Sequence, residues 1–223
     1  MDEKKEIVRM LQDISGKYPP SVIFDDWVKC VAIAIQNACV NEIDEIFQER
    51  EKQYKAIIDK YDIDIADNFA QMTAYLTTAM ERNIEDVLGL VYMEASMGNK
   101  NAGQFFTPPQ ISKMKAKIIA NNIEKADKKK YRLYEPTSGS GGIILEVAKE
   151  LQIKEIDYQN CMYVVAQDLD WRCVYMTYVQ LSLIGINAVV AQGDSIAEPF
   201  VSEKEYPMYR LFYTPKKMGV LDK

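Results

Sequence analysis

The chain of 223 residues carries 33 acidic and 27 basic side chains, a formal net charge of −6, and 48% of its residues are hydrophobic. That length allows one α/β domain of moderate size with a helical region beside it, and the composition allows a buried core. The chain has no histidine. This excludes Ser-His-Asp and Cys-His nucleophilic centres and most histidine-containing metal sites.

No apolar run approaches the length of a membrane span, and the N-terminal segment MDEKKEIVRM is charged. We therefore expect a cytoplasmic protein with no signal peptide and no membrane partner. The four cysteines, Cys30, Cys39, Cys161 and Cys173, lie in apolar surroundings with no close pair. This spacing predicts buried, reduced thiols rather than disulfides or a zinc site, and no other metal is expected.

Residues 1–97 are predicted to form an N-terminal helical domain. Apolar residues recur at helical spacing, which predicts a bundle of helices near residues 22–41, 42–61, 66–83 and 85–97. This part carries 10 basic and 19 acidic side chains, whereas residues 98–223 carry 17 and 14. The helical domain is therefore not expected to approach DNA. The polar segment GNKNAG, residues 98–103, is predicted to begin a second domain, residues 98–223.

The segment LYEPTSGSGG, residues 133–142, joins a predicted strand at residues 131–134 to a predicted helix at residues 143–151. Ligands of α/β sheets bind at such turns, and Glu135 offers a carboxylate for an amine or a hydroxyl. Ile144 occupies the sixth position of a dinucleotide fingerprint, and no Lys-Ser or Lys-Thr pair follows the glycines. We therefore expect a nucleoside ligand that is neither a dinucleotide nor a triphosphate.

Acidic residues follow two further predicted strands. The strand at residues 162–167 leads into Asp168, and the strand at residues 187–192 leads into Gly193 and Asp194. Either aspartate alone is typical of a helix cap or a solvated loop. Because the carboxyl ends of parallel strands face one crevice, Glu135, Asp168 and Asp194 together predict a single ligand site.

Four motifs in order, GQFFTPPQI (residues 103–111), EPTSGSGG, AQDLD and GDS, resemble those of adenine-specific DNA methyltransferases, closest to type I restriction-modification methylase subunits. The resemblance covers about residues 84–200. It implies a Rossmann-like α/β fold, S-adenosylmethionine as cofactor and DNA as a partner. The implied cofactor site comprises Phe105, Thr107, Pro108, Glu135, Thr137, Gly139, Gly141, Asp168, Leu169, Asp194 and Ser195.

The resemblance also implies a role for several of these residues. Phe105, Thr107 and Pro108 would close over the cofactor, with Thr107 near the methionine carboxylate. Glu135 and Gly139 would hold the methionine part. Asp168 would take the ribose hydroxyls, and Asp194 would accept a hydrogen bond from the cofactor's adenine.

The chain lacks the family's Asn-Pro-Pro-aromatic motif, which orients the target adenine. The next predicted strand, residues 208–213, ends in Tyr213, Thr214 and Pro215, so that Thr214 would by position replace the asparagine. A hydroxyl cannot reproduce a planar amide, and catalysis by this chain alone is not expected. It is a fragment, a protein that binds the cofactor without using it, or an enzyme of different chemistry.

Only four strands are predicted, against about seven in the family, so we expect a sheet that is incomplete or is completed by another chain. A basic segment at residues 113–132 is either a contact for DNA phosphates or a solvated surface.

Two functions remain open. One is a cofactor-binding subunit of an adenine-specific DNA methyltransferase that needs a partner for catalysis and specificity. The other is an inactive cofactor-binding interaction or sensor protein, for example from a mobile element.

Overall fold

The computed structural model describes residues 2–40, 42–61, 64–96, 106–125 and 130–221, and this part of the chain has the expected α/β fold. The N-terminal helices are α1 (Glu3–Ile14), α2 (Pro20–Cys39), α3 (Glu45–Ile58), α4 (Ile65–Arg82) and α5 (Val87–Ser96). The last four correspond to the predicted helices, and α1 is an additional one. It buries Ile7, Val8 and Leu11 on one face, because these residues recur at helical spacing.

The sheet contains β1 (Tyr131–Glu135), β2 (Met162–Asp168), β3 (Asn187–Gln192) and β4 (Leu211–Tyr213), in that order. The first three strands are parallel, and helices connect them. Preceding or connecting the strands are α6 (Pro109–Lys125), α7 (Gly142–Ile153), α8 (Tyr158–Cys161) and α9 (Trp171–Leu183). This alternation is Rossmann-like, and it brings the carboxyl ends of β1, β2 and β3 to one edge.

Helix α9 packs on the sheet with one face and on α2 with another. Its residues Val174, Tyr178 and Leu181 belong to one apolar core that also includes residues of the N-terminal helices. The Arg172 guanidinium at its start donates to both carboxylate oxygens of Asp25, at 2.5 and 2.6 Å, and to the Tyr92 hydroxyl at 2.8 Å. The predicted domain boundary at residue 97 lies outside the described residues and stays a prediction.

Strand β4 runs antiparallel to β3, with Val189 opposite Tyr213 and Ala191 opposite Leu211. The predicted strand over residues 208–213 is shorter than expected, because a 3₁₀ helix occupies Met208–Arg210. The antiparallel direction places the end of β4 beside the start of β3. Residues after Tyr213 therefore lie at the edge of the sheet opposite the carboxyl ends of β1, β2 and β3.

Three of the predicted buried thiols, Cys30, Cys39 and Cys173, are buried and free, while Cys161 is only half-buried because α8 lies at the surface. Burial raises the pKa of the Cys30 thiol to about 12, so this group stays protonated at neutral pH. No helix within the described residues combines the length and the apolarity needed to cross a membrane.

Candidate functional site

The turn between β1 and α7 presents backbone to the carboxyl edge of the sheet. Gly139 and Gly141 have φ of +57° and +92°, which side chains of L-residues rarely adopt. A β-carbon at Gly139 would also lie 3.2 Å from the Cδ1 atom of the Phe106 ring. The Gly141 N–H donates to the Ser138 carbonyl at 2.8 Å and closes the turn. Conformation thus favours glycine at both positions, and a side chain at Gly139 would also crowd the Phe106 ring.

Two side chains of α9 stabilise this turn through hydrogen bonds to its backbone carbonyls. The Thr177 hydroxyl donates to the Gly139 carbonyl at 3.0 Å. The buried Gln180 amide donates to the Ser140 carbonyl at 2.7 Å and to Asp86 Oδ1 at 2.9 Å. Its oxygen accepts from the Leu88 N–H at 3.0 Å. The turn is therefore fixed by residues from the start of α5 and from α9.

Asp168, at the end of β2, connects the turn after β1 to the loop after β2. Its Oδ2 accepts from the Gly139 N–H at 2.8 Å, and its Oδ1 accepts from the Asp170 N–H at 3.0 Å. Burial raises the pKa of this carboxyl above its usual value, although both hydrogen bonds oppose the shift. The predicted proximity of the glycine turn and Asp168 is therefore present.

A cavity of about 260 Å³ lies over these groups. Four of the predicted cofactor residues line it, namely Thr107, Thr137, Gly139 and Asp168. The other lining residues are Asp86, Phe106, Ser112, Ser138, Ser140, Gly142, Ile143 and Cys173. Hydroxyls, carboxylates and the N-terminus of α7 dominate the wall, which suits a polar, charged ligand better than a hydrocarbon.

Four other predicted residues lie near the cavity without lining it. Glu135 is half-buried, and burial raises the pKa of its carboxyl, opposed by a hydrogen bond from Thr137. The Pro108 carbonyl accepts from the first turn of α6. Leu169 is 65% exposed, and Gly141 shapes the turn. Phe105 lies outside the described residues.

Asp194 and Ser195 follow β3 at the same edge but do not line the cavity. The exposed Asp194 carboxylate accepts from the N–H groups of Ile196 and Ala197, at 2.9 and 3.1 Å, and these bonds lower its pKa. The Gly193 N–H donates to the Asp168 carbonyl at 2.9 Å, so the loop after β3 adjoins Asp168. The predicted contacts of Asp194 and Ser195 with adenine stay predictions.

The segment Tyr213, Thr214 and Pro215 lies at the opposite edge of the sheet, which corrects its assignment as the position of the family's asparagine. The Thr214 side chain is fully buried, where its hydroxyl donates to the Ile186 carbonyl at 2.7 Å and accepts from the Ala188 N–H at 3.0 Å. These bonds tie it to the amino end of β3. Because β4 is antiparallel, Thr214 has a structural role and cannot contact a ligand at the carboxyl edge.

A larger cleft, of about 620 Å³, lies between α2, α3 and the start of α9. Trp171 and Tyr175 stack there, and Arg50 lies over the Phe212 ring at 4.5 Å. The Arg50 guanidinium also donates to the Leu211 carbonyl at 2.9 Å. Its walls carry carboxylates as well as cations, so its size alone does not indicate a ligand. The smaller cavity, with its glycine turn, is the better candidate site.

The predicted cofactor residues omitted eight lining residues: Ser138, Ser140, Gly142 and Ile143 in or beside the glycine turn, and Asp86, Phe106, Ser112 and Cys173 outside it. Asp86 was placed inside a helix predicted to start at residue 85, whereas it precedes α5 and its Oδ1 accepts from the Gly89 N–H at 3.0 Å. An aspartate that accepts from the N–H three residues later is an N-cap, and the signal available in the sequence is an aspartate directly before an apolar helical run.

Comparison with protein families gives one match, to the model described as N-6 DNA Methylase, over residues 84–209. The chain belongs to the N-6 DNA methylase family. The matched region begins just before Asp86 and includes the cavity, the glycine turn and all strands before β4. The fold is accordingly a Rossmann-like methyltransferase fold with a four-stranded sheet in the described residues, and family membership implies use of S-adenosylmethionine.

Two solved structures resemble this N-6 DNA methylase family member. A Listeria monocytogenes protein assigned to the class I S-adenosylmethionine-dependent methyltransferases is 18% identical, with a TM-score of 0.44 and coverage of 82% of this chain and 55% of that one. A type I restriction-modification system methyltransferase subunit from Streptococcus thermophilus is 15% identical, with a TM-score of 0.47 and coverage of 91% and 60%. The chain thus spans under two thirds of either structure. No curated protein matches it.

Proposed function

We propose that this protein binds S-adenosylmethionine in the cavity at the carboxyl edge and is the cofactor-binding part of an adenine-specific DNA methyltransferase. The observation that carries the proposal is the bond between the Gly139 N–H and Asp168, which joins a glycine turn and an acidic side chain on one cavity wall. The backbone of the turn suits close approach of the methionine part, and a carboxylate suits ribose hydroxyls.

The cofactor supplies a methyl group on a sulfonium, whose leaving group is already good, so the protein mainly has to orient the reactants. The lining residues fit this ligand. Thr107 and Ser112 offer hydroxyls beside the N-terminus of α7, whose first N–H groups lack intrahelical acceptors and favour a carboxylate. Asp194 and Ser195, in the loop beside Asp168, extend the proposed site toward the adenine.

The group that orients the target adenine comes from outside the described residues, either from a partner subunit or from another part of a longer polypeptide. Two observations support this part of the proposal. The sequence has no Asn-Pro-Pro-aromatic motif, and the buried Thr214 hydroxyl is hydrogen-bonded to the backbone of β3. Exposed lysines of α6, namely Lys113, Lys115 and Lys117, are proposed to contact DNA phosphates.

Calorimetric titration with S-adenosylmethionine, with NAD as control ligand, tests cofactor binding. We expect saturable binding of the first ligand only, weakened about tenfold or more by Asp168→Ala, because that change removes a ribose acceptor and a support of the turn. Asp157→Ala is the matched control, since Asp157 caps α8 just before the amino end of β2 and does not line the cavity. Unchanged affinity in Asp168→Ala would reject the site.

The second candidate function is a cofactor-binding interaction protein that transfers no methyl group. The burial of Thr214 and its hydrogen bonds to β3 favour it, because this residue then cannot orient a target adenine. Transfer of labelled methyl groups to DNA of mixed sequence separates the two functions. Labelled adenine produced by the purified chain would reject the second candidate. Label that appears only when a partner subunit is added would support the first.

A further inference from the structure

Asp86 is a carboxylate of the cavity wall to which the four motifs of the sequence assign no role. Its N-cap role uses Oδ1, which accepts from Gly89 and Gln180. Oδ2 accepts from the Ser140 hydroxyl and lies 3.1 Å from the place of a β-carbon on Gly142, the first residue of α7. The carboxylate therefore lies between the start of α5 and the start of α7, on the cavity wall.

All three hydrogen-bond donors to Asp86 within the described residues are neutral. They are a backbone N–H, an amide and a hydroxyl. Burial raises the pKa of this carboxyl, although the hydrogen bonds from Gln180, Ser140 and Gly89 oppose the shift. A desolvated carboxylate without a cationic partner is costly, and a ligand cation in the cavity would remove that cost.

The other acids near the turn are less suited to this role. Asp168 accepts backbone N–H groups with both oxygens, and the proposed function assigns its remaining acceptor capacity to the ribose hydroxyls. Glu135 does not line the cavity, and the Lys115 ammonium lies close enough to stabilise its charge. Of these three, Asp86 alone combines a cavity-lining position with an oxygen whose described partner is a single hydroxyl.

We infer that Asp86 binds the ammonium group of the cofactor's amino-acid end, next to the N-terminus of α7, which takes the carboxylate. The inference rests on the proposed binding of S-adenosylmethionine and names the residue that selects its zwitterionic end. The two charged groups of an α-amino acid are adjacent, as are Asp86 and the start of α7. Asp86 thereby replaces Glu135 as the counter-charge of the methionine part.

The test is calorimetric titration with S-adenosylmethionine, S-adenosylhomocysteine and 5′-methylthioadenosine. The first two carry the ammonium group, and the third lacks the amino-acid end. In Asp86→Asn we expect affinity for the first two to fall about tenfold or more, because a charged hydrogen bond is lost, and affinity for the third to change less than about twofold. Asp86→Ser, which keeps an N-cap oxygen, gives the same result if the asparagine variant does not fold.

Two further variants isolate the charge. Ser140→Ala removes a hydrogen bond to Asp86 but leaves the carboxylate, so the preference for S-adenosylhomocysteine over 5′-methylthioadenosine is expected to persist. Glu135→Gln is expected to preserve it as well. The inference is overturned if Glu135→Gln, rather than the Asp86 variants, abolishes this preference.

Other outcomes also decide the matter. An equal loss for all three ligands in Asp86→Asn would make Asp86 a structural residue, and a loss confined to S-adenosylmethionine would assign the carboxylate to the sulfonium. Either result overturns the inference while leaving cofactor binding intact. Failure of the unmodified protein to bind any of the three ligands would instead reject the proposed function itself.

Discussion

Replacement of Gln180 by methionine tests whether α9 holds the glycine turn. The two side chains have similar volume, so the change removes hydrogen bonds without a large cavity. Gln180 is fully buried and bonds to the Leu88 N–H, the Ser140 carbonyl and Asp86. The variant leaves the first two without a described partner, at roughly 1–3 kcal/mol each, while Asp86 keeps two donors. We therefore expect a loss of about 3 kcal/mol in the free energy of unfolding.

Urea unfolding followed by tryptophan fluorescence and circular dichroism measures this loss. With a slope of about 2 kcal/mol per molar urea, the midpoint is expected to fall by about 1.5 M. Gln192→Met is the matched control, because Gln192 donates one hydrogen bond, to the Leu169 carbonyl, in an exposed setting. It should cost under about 0.5 kcal/mol. A loss below about 1 kcal/mol in Gln180→Met would refute the assignment of α9 as the support of the turn.

Three further predictions concern single residues. Gly139→Ala forces a side chain into a left-handed conformation and is expected to cost about 1–2 kcal/mol in urea unfolding and to weaken cofactor binding. Thr214→Val removes a buried hydroxyl with two backbone partners; a loss of about 1–3 kcal/mol with unchanged S-adenosylmethionine affinity is expected, and weaker binding would contradict its placement at the opposite edge. Burial raises the pKa of Asp86, so its contribution to stability is greatest below the ordinary aspartate pKa and is lost as pH rises through the folded value. The free energy of unfolding of the unmodified protein should therefore exceed that of Asp86→Asn by more at pH 4.5 than at pH 7.

Local patterns in the sequence were sufficient for most of the fold. The bounds of β3, residues 187–192, were predicted as the structure has them, because a short apolar run between turn residues is typical of a buried strand. The direction of β4 could not be read in the same way. A strand of three residues carries no directional pattern, and its position depends on distant partners such as Gln36, whose side-chain oxygen accepts from the Tyr213 N–H at 2.7 Å.

The candidate site was likewise predictable only where it is local. Asp168 ends β2 and Gly139 lies in the turn after β1, so their proximity follows from the parallel pairing of β1 and β2. Asp86 was missed because it contacts the glycine turn from the start of α5, and 54 residues separate it from Ser140 in the sequence. Nothing in the sequence near residue 86 indicates Ser140 or Gln180, and only the packing of α5 against α9 brings them together.

The network around the glycine turn has a consequence for synthesis of the protein. Asp86 is translated 54 residues before Ser140, and Gln180 is translated 40 residues after it. During elongation at about 5–20 residues per second, the nascent turn waits several seconds for its second support. Because α9 supplies both Gln180 and part of the apolar core, we expect the turn to reach its final conformation only after α9 has left the ribosome.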